Sequence, residues 1–593
     1  QAGDKTALAY YQQAIASATT SLEQFQGQLS LLELPSTQDS QQDSLVKALL
    51  QNVSSLPANR DSLYAQLHFA WWLMNESNTV IPDETILALL KRVEQQARQL
   101  NDRQALAYAL GYQGDFYAQQ QHWSQAQAVS QQALYLSQQL QAPEMMYQWY
   151  WQLGKAYVGQ GNRDQAIATY TAAVQTLKSL RGDLTAASTD LQFTFRDRVE
   201  PLYRQLVQLL LQADIGQPIP QENLKAARSL IEDLQLAELQ DYFQDACVTA
   251  KPIEADTVDA NAAVIYPIML SDRLDVIVSI AGQPLKYYSS PVASADIQQM
   301  VNKVLRSITS PLAARLPETT ENLQQLYDWM LDEAIQDMGD YKPETLVFVA
   351  DGPLRTLPLA ALHDGEGYLM QTYNVILSPG LELLDPSPLT IEDTSLFAGG
   401  ISEARQGFEA LPFVTQEVQQ ITNKMSTTQL LLNEQLTTTN LATGLSKSSA
   451  DILHLATHGK FGSTADDTFL VMWDQRLSIA DFSKLLQQRN QTTTDPVELL
   501  VLSACQTATG DSRAVLGIAG MAIRAGIRST VAGLWSLNDQ ATAVFMDQFY
   551  SALAQPGVTK AKAFRQAQLA LLQDPRFQSP HYWSSFVMVG NWL

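Results

Sequence analysis

Along roughly the first 245 residues, apolar positions recur at i, i+3 and i+4, the spacing that lines one face of a helix. Glycine and proline are sparse there, and Gln, Ala and Leu are dense, so the pattern predicts helix after helix. Gly114, Tyr117, Ala126 and Ala133 recur forty residues later as Gly154, Tyr157, Ala166 and Ala173. Small residues at such positions let two antiparallel helices approach closely, and the internal spacing matches a tetratricopeptide-like repeat with lengthened helices or turns. Gly161-Asn162 fits the turn within a pair, with Asp164 in the first turn of the next helix. Segments 67–73, 85–100, 199–211 and 223–243 read as degenerate copies or caps, the last as a long closing helix. Residues 246–257 read as a linker.

From about residue 258 the period shortens. Apolar runs at 264–270 and 274–280, separated by Ser271-Asp272-Arg273, predict a hairpin. Helices follow at 294–308 and 320–338. Further strands are expected at 345–350, 373–377, 395–399, 429–432, 452–457, 469–473, 499–503 and 530–535, with helices between them. Alternating strands and helices predict an α/β sheet. The expected architecture is therefore an α-helical repeat region at 1–245 followed by an α/β domain at 258–593.

Two of the strands carry chemistry. Asp451-Ile-Leu-His-Leu-Ala-Thr-His458-Gly459 and Glu498-Leu-Leu-Val-Leu-Ser-Ala-Cys505 each read as a buried run that stops at a reactive side chain. A parallel sheet presents its chemistry at the carboxyl ends of its strands. An imidazole and a thiol on one rim are the minimum for a cysteine nucleophile served by a histidine base. His454 lies inside its run and reads as a core histidine. It stands about 13 Å from His458 on an extended strand, too far to share a metal ion. Gly459 would let a carbonyl approach and offer its N–H to an oxyanion. For Cys505 the plainer alternative is a buried structural thiol. No Gly-x-Ser-x-Gly or Walker loop occurs, and Gly517-Ile-Ala-Gly520 reads as helix packing.

Composition narrows the field. The formal charge of −23 disfavours nucleic acid and anionic membrane surfaces and suits a basic partner or substrate. No run is long and apolar enough to cross a bilayer. With only Cys247 and Cys505 there is no disulfide framework. That scarcity fits a cytoplasmic setting. The cytoplasmic setting is the favoured expectation; the start at Gln1 is what trimming, or export with signal removal, would leave. No cofactor or metal site is expected.

The pair Leu-Ala-Thr-His458-Gly and Leu-Ser-Ala-Cys505-Gln-Thr-Ala resembles the CHAT domain, a caspase-like, separase-related peptidase fold often joined to tetratricopeptide repeats. Val349-Ala-Asp-Gly-Pro-Leu-Arg-Thr-Leu-Pro, Gly533-Leu-Trp535 and His581-Tyr-Trp-Ser-Ser-Phe586 agree with it. The resemblance implies a Cys505–His458 dyad, with the N–H groups of Gly459 and Cys505 as oxyanion donors. By likeness to separases it implies that Asp539 receives a basic P1 side chain, with Asp511 a second candidate. The alternative for Asp539 is a helix N-cap. The expected substrate is a protein or peptide cut after Arg or Lys, with a protein partner on the repeat surface. A catalytically silent scaffold is the competing expectation. His581 reads as structural.

Overall fold

A computed structural model describes residues 2–34, 39–76, 81–184, 199–213, 217–243, 259–339, 341–381, 387–389, 394–462, 464–492, 496–507 and 512–593. Side chains are described for all of these except 2–5, 39–40, 181–184, 427, 491–492, 504–507, 512–513 and 516. The chain divides into two compact units, Gln1–Leu184 and Thr185–Leu593.

The first unit is helical: α1 (Ala2–Ser17), α2 (Ser21–Leu32), α3 (Asp39–Asn52), α4 (Arg60–Asn75), α5 (Asp83–Gln99), α6 (Arg103–Gln119), α7 (Trp123–Gln139), α8 (Pro143–Gly159) and α9 (Arg163–Leu184). The forty-residue period has a simple origin. Helices α5 to α8 are each 17 residues long. Each is followed by one residue of positive φ: Asn101, Gln121, Gln141 and Gly161, twenty residues apart. The N–H of the next residue reaches back to the helix, as in Asp102 to the Ala97 carbonyl and Asn162 to that of Tyr157. This is the Schellman stop, which uses the left-handed residue to satisfy the last carbonyls. Ala126, Ala133, Ala166 and Ala173 are all fully buried. A Cβ on Gly114 would lie 2.4 Å from the Ser130 hydroxyl, so the helix contact requires glycine there.

The second unit opens with α10 (Glu200–Leu210) and α11 (Gln221–Phe243) and continues into a 13-stranded sheet. Its strands are β1 (Ala262–Met269), β2 (Leu274–Ile280), β3 (Lys286–Ser290), β4 (Thr345–Phe348), β5 (Asn374–Leu377), β6 (Ser395–Gly400), β7 (Ser426–Leu432), β8 (Ile452–Phe461), β9 (Phe469–Val471), β10 (Arg476–Ser478), β11 (Leu499–Thr507), β12 (Ser529–Gly533) and β13 (Phe586–Gly590). The order is β10-β9-β8-β11-β12-β13-β5-β4-β1-β2-β3, with β6 between β7 and the first half of β8. Strands β7, β6, β8, β11 and β12 run parallel. The predicted hairpin is β1–β2, antiparallel with Ile265 opposite Val278.

Helices α10 and α11 belong by contact to the sheet unit, although their helical period led the sequence reading to group them with the repeats. The reason is polar and buried. Arg204 of α10 grips Asp351 with both terminal nitrogens, at 2.7 and 3.0 Å, and Glu200 at 2.7 Å. Burial pushes the Asp351 carboxyl up, but the Arg204 guanidinium outweighs it and holds the acid below its ordinary value. Glu238 of α11 lies 2.6 Å from Arg355, an ion contact whose angle misses hydrogen-bond geometry. Farther along α11, the Tyr242 hydroxyl donates to the Gly462 carbonyl at 3.0 Å and meets the Thr468 hydroxyl at 2.7 Å. Tyr242 also lies over Gly517, and Leu239 and Phe243 over Gly520, where any Cβ would clash. Helix α11 thus braces the segment after β8 and the helix Ser512–Arg524 after β11.

Candidate active site

The apolar runs form strands because every residue from Ile452 to Thr457, and from Leu499 to Ser503, is buried. They are neighbours in parallel register, Leu499 beside Ile452 through Leu502 beside Leu455. A bulge then puts two residues of β8 opposite one of β11. Beyond it Ala504 lies beside His458 and Cys505 beside Gly459. Bulges of this kind re-aim side chains and are common near active sites. Neither strand stops at its reactive residue: β8 runs on to Phe461 and β11 to Thr507. The tail of β8 continues because it pairs with a new partner, β9, at Gly459–Leu470 and Lys460–Phe469. On that side β6 accompanies β8 only as far as Gly400–Ala456. His458 therefore sits where the sheet changes neighbours.

The chain leaving β6 crosses this gap as a strap, Ile401–Phe413. It is tied at its root by the Ile401 N–H to the Ala456 carbonyl at 3.0 Å, and closed by the Leu411 N–H to the Ser402 carbonyl at 2.9 Å. Its tip is a tight turn in which Arg405 and Phe408 exchange both backbone bonds, at 3.2 and 2.8 Å. Gln406 and Gly407 there have φ of 52° and 88°. Two consecutive positive φ values make the turn that matches a hairpin's twist. Phe408 stacks on the His458 ring, centroids 4.9 Å apart and planes at 28°. The Glu409 carbonyl lies 2.8 Å from His458 Nε2. A carbonyl only accepts, so Nε2 carries a proton and Nδ1 is the nitrogen left to act as base.

Asp539 stands within electrostatic reach of His458. It is the first residue of the helix Asp539–Leu553. The N-cap is its neighbour Asn538, whose side chain accepts from the Ala541 N–H at 3.0 Å, so the capping alternative for Asp539 passes to Asn538. Asp539 Oδ2 instead accepts from the Phe413 N–H at 2.8 Å, at the foot of the strap. Burial pushes its carboxyl above the ordinary value. The Phe413 N–H pulls it back, Glu417 adds to the rise and His458 opposes it. For Cys505 the structure describes the backbone position, and Asp511 and Cys247 lie outside the described residues.

His454 is the core histidine the sequence implies, fully buried. Its Nδ1 meets the Tyr550 hydroxyl at 3.1 Å and its Nε2 meets Glu417 at 2.9 Å. Burial, with help from Glu417, raises the Tyr550 phenol well above its ordinary value and keeps it protonated. Tyr550 then donates to Nδ1 and Nε2–H donates to Glu417 Oε1, while Glu417 Oε2 is buried without a hydrogen-bond partner. Glu417 was not singled out in the sequence. Its only local signal is an acid at a core-facing position of the helix Val414–Thr422, whose other buried residues are Val414, Val418 and Ile421. His581 stacks on Trp535 at 6.3 Å and its Nδ1 meets the Ile308 carbonyl at 3.2 Å, a structural placement.

Among the described residues, no group of three or more His, Cys, Asp or Glu could hold a metal ion, and no helix is long and apolar enough to cross a membrane. Comparison with solved structures finds "BtubC (BKLC) from P. vanneervenii", 16% identical over 38% of this chain and 84% of that one, with a TM-score of 0.19. It also finds "the Arg specific cysteine proteinase gingipain R (RGPB)", 11% identical over 57% of this chain and 79% of that one, with a TM-score of 0.30. No curated protein matches. The family model of the CHAT domain matches residues 320–591, a span that contains β8, β11, the strap and Asp539. Residues 320–591 of this chain are a CHAT domain.

Proposed function

We propose that the protein is a cysteine endopeptidase that uses His458 and Cys505 and cuts after Arg or Lys. The observation that carries the reading is the register of β8 and β11, which sets His458-Gly459 beside Ala504-Cys505 on adjacent parallel strands. The strap supports it by engaging Nε2 and leaving Nδ1 as the base.

In this mechanism His458 Nδ1 takes the thiol proton, and the Cys505 thiolate attacks the scissile carbonyl carbon. The oxyanion takes the N–H groups of Gly459 and Cys505. Both residues lie in paired backbone, so substrate opens the tail of the β8–β11 ladder by one rung. The leaving amine takes the proton back from His458, and a thioester remains. Water, deprotonated by His458, cleaves the thioester and restores the thiol. Asp539 offers a half-buried carboxylate to the guanidinium or ammonium of P1. The first unit would hold a protein partner or substrate on its helical surface.

The test is hydrolysis of fluorogenic peptides with Arg or Lys at P1, by the parent and by Cys505→Ala. Cleavage that disappears in the variant supports the reading, and equal rates rule it out. A second reading, a catalytically silent scaffold, rests on the strap that covers His458 with Phe408 and Glu409. It gains if an arginyl chloromethylketone fails to label Cys505 in folded protein, with the label mapped by mass to distinguish Cys247.

A further inference from the structure

Two cations, one on the strap and one against it, have no carboxylate partner among the described residues. The Arg405 guanidinium lies flat on Trp473, its central carbon 3.4 Å from the ring centroid. Its Nε is buried without a hydrogen-bond partner. Arg476, on β10, lies 4.5 Å over Phe469 and 5.9 Å from Phe408, and its Nη2 donates to the Gln406 carbonyl at 3.3 Å. Neither forms an ion pair among the described residues, although the chain holds 61 acids to 38 lysines and arginines. Of the acids near in sequence, Glu403 and Glu409 are exposed, and Asp474 accepts from the Thr438 N–H at 2.9 Å.

Stacking fixes a guanidinium's plane and leaves its edge free for a fork-shaped acceptor. Both arginines are also tied to the element that orients His458. Phe408 exchanges backbone bonds with Arg405, stacks on the imidazole at 4.9 Å and lies beside Arg476. The Arg476 guanidinium therefore lies no more than about 11 Å from the imidazole, about three residues of extended peptide.

We propose that Arg405, with Arg476, is a carboxylate-recognising subsite that binds an Asp or Glu side chain of the substrate a few residues from the scissile bond. The proposal rests on the peptidase reading and adds a second determinant to it, opposite in sign to the one assigned to Asp539. The ligand is an acidic peptide side chain. With Nε buried, the two terminal nitrogens of Arg405 form the charge-assisted hydrogen bonds to the carboxylate oxygens, and Arg476 adds a second positive charge.

The test uses the full chain and peptides with Arg at P1, in which Glu or Gln is placed in turn at each of the positions flanking the bond. The expected result is a preference for Glu over Gln of roughly tenfold in kcat/KM at one or two positions. That ratio falls to near one in Arg405→Gln, falls less in Arg476→Gln, and is partly kept in Arg405→Lys. Arg405→Glu should reverse it in favour of Lys at the same position. Affinities of the same peptides for Cys505→Ala, read by fluorescence anisotropy, give the second readout. If binding prefers Glu and loses this in Arg405→Gln while no Cys505-dependent cleavage occurs, the subsite stands and the peptidase reading falls. If cleavage depends on Cys505 but neither readout distinguishes Glu from Gln, the subsite is overturned and the peptidase reading stands. The peptide-side exchange of Glu for Gln needs no altered protein, so a variant that fails to fold leaves the result intact.

Discussion

His454 and His458 stand four residues apart on one strand and share almost nothing of their surroundings. Around His454 the sheet is complete: β6 on one side, β11 on the other, and Glu417 and Tyr550 on its two nitrogens. Around His458 the sheet changes partners, one nitrogen is held by a loop carbonyl, and the ring is stacked on a single phenylalanine. The first arrangement commits both imidazole nitrogens to the fold. The second fixes the ring's plane and tautomer and leaves one nitrogen for chemistry. A histidine's role here is set by what the sheet does on either side of it.

The largest expected break in this contrast is kinetic. His458→Ala should lower kcat/KM on basic-P1 peptides by about 10² to 10⁴, the worth of a positioned base. Its thermal midpoint should hold nearly steady, since substitutions at half-buried sites outside the core usually cost little. His454→Ala should do the converse. Removing one member of a buried, hydrogen-bonded pair costs about 3–5 kcal/mol, because the Glu417 carboxylate is then stranded. The measurement is the urea midpoint of the variant against the parent. The argument sharpens if His454→Leu, Glu417→Leu and Tyr550→Phe are combined. With only the Ser503 hydroxyl, 3.5 Å from His454 Nε2 in the parent, left to strand, much of the loss should return. A His454→Ala protein as stable as the parent would place the two histidines in one class.

The acid at the foot of the strap gives a smaller effect with a defined sign. Asp539→Asn should reduce the preference for Arg over Gln at P1 by roughly tenfold to a hundredfold, as a partly buried charge pair is lost. Burial raises the Asp539 carboxyl, with Glu417 adding to it against the Phe413 N–H and His458. Activity on basic P1 should therefore fall on acidification at a pH above that of an ordinary aspartate, and Asp539→Asn should flatten that limb. Stability runs the other way. The folded protein favours the protonated acid, so the cost of ionising it is absent below the unfolded carboxylate's value. The cost is complete once pH exceeds the folded value.

Much of this was legible in the sequence where the signal is local. The hairpin β1–β2 followed from two apolar runs and a polar turn, and the forty-residue period from small residues at fixed steps. The strands bearing His458 and Cys505 were placed by their apolar runs, but their ends were not. Each continues because of pairing with a partner distant in sequence, which no local period records. The short strands β3 and β10 are defined by their partners and not by composition, whereas β13 is an apolar run, Phe586-Val-Met-Val-Gly590, that the sequence offers and the expected strands leave out. Helices α10 and α11 have an ordinary helical pattern. Their place in the sheet unit is set by Arg204, Glu238 and Tyr242 reaching acids, arginines and carbonyls more than a hundred residues away. The strap carried no motif at all, and its role comes from where β6 ends.

The smallest predicted effect tests whether the strap orients the histidine or merely rests on it. An aromatic stack beyond simple burial is worth about 0.5–1.5 kcal/mol, so Phe408→Ala should lower kcat by a few-fold to tenfold. KM should change less, because the ring is assigned to His458 and not to the P1 side chain. Phe408→Tyr keeps the stack and should keep most of the rate. The Glu409 carbonyl still holds Nε2 in both variants, so the tautomer survives and only the ring's plane is freed. If Phe408→Ala instead raised the rate, the strap would be a cover that substrate must displace. His458 would then share with His454 the condition of a histidine held by the fold, released only when the loop lifts.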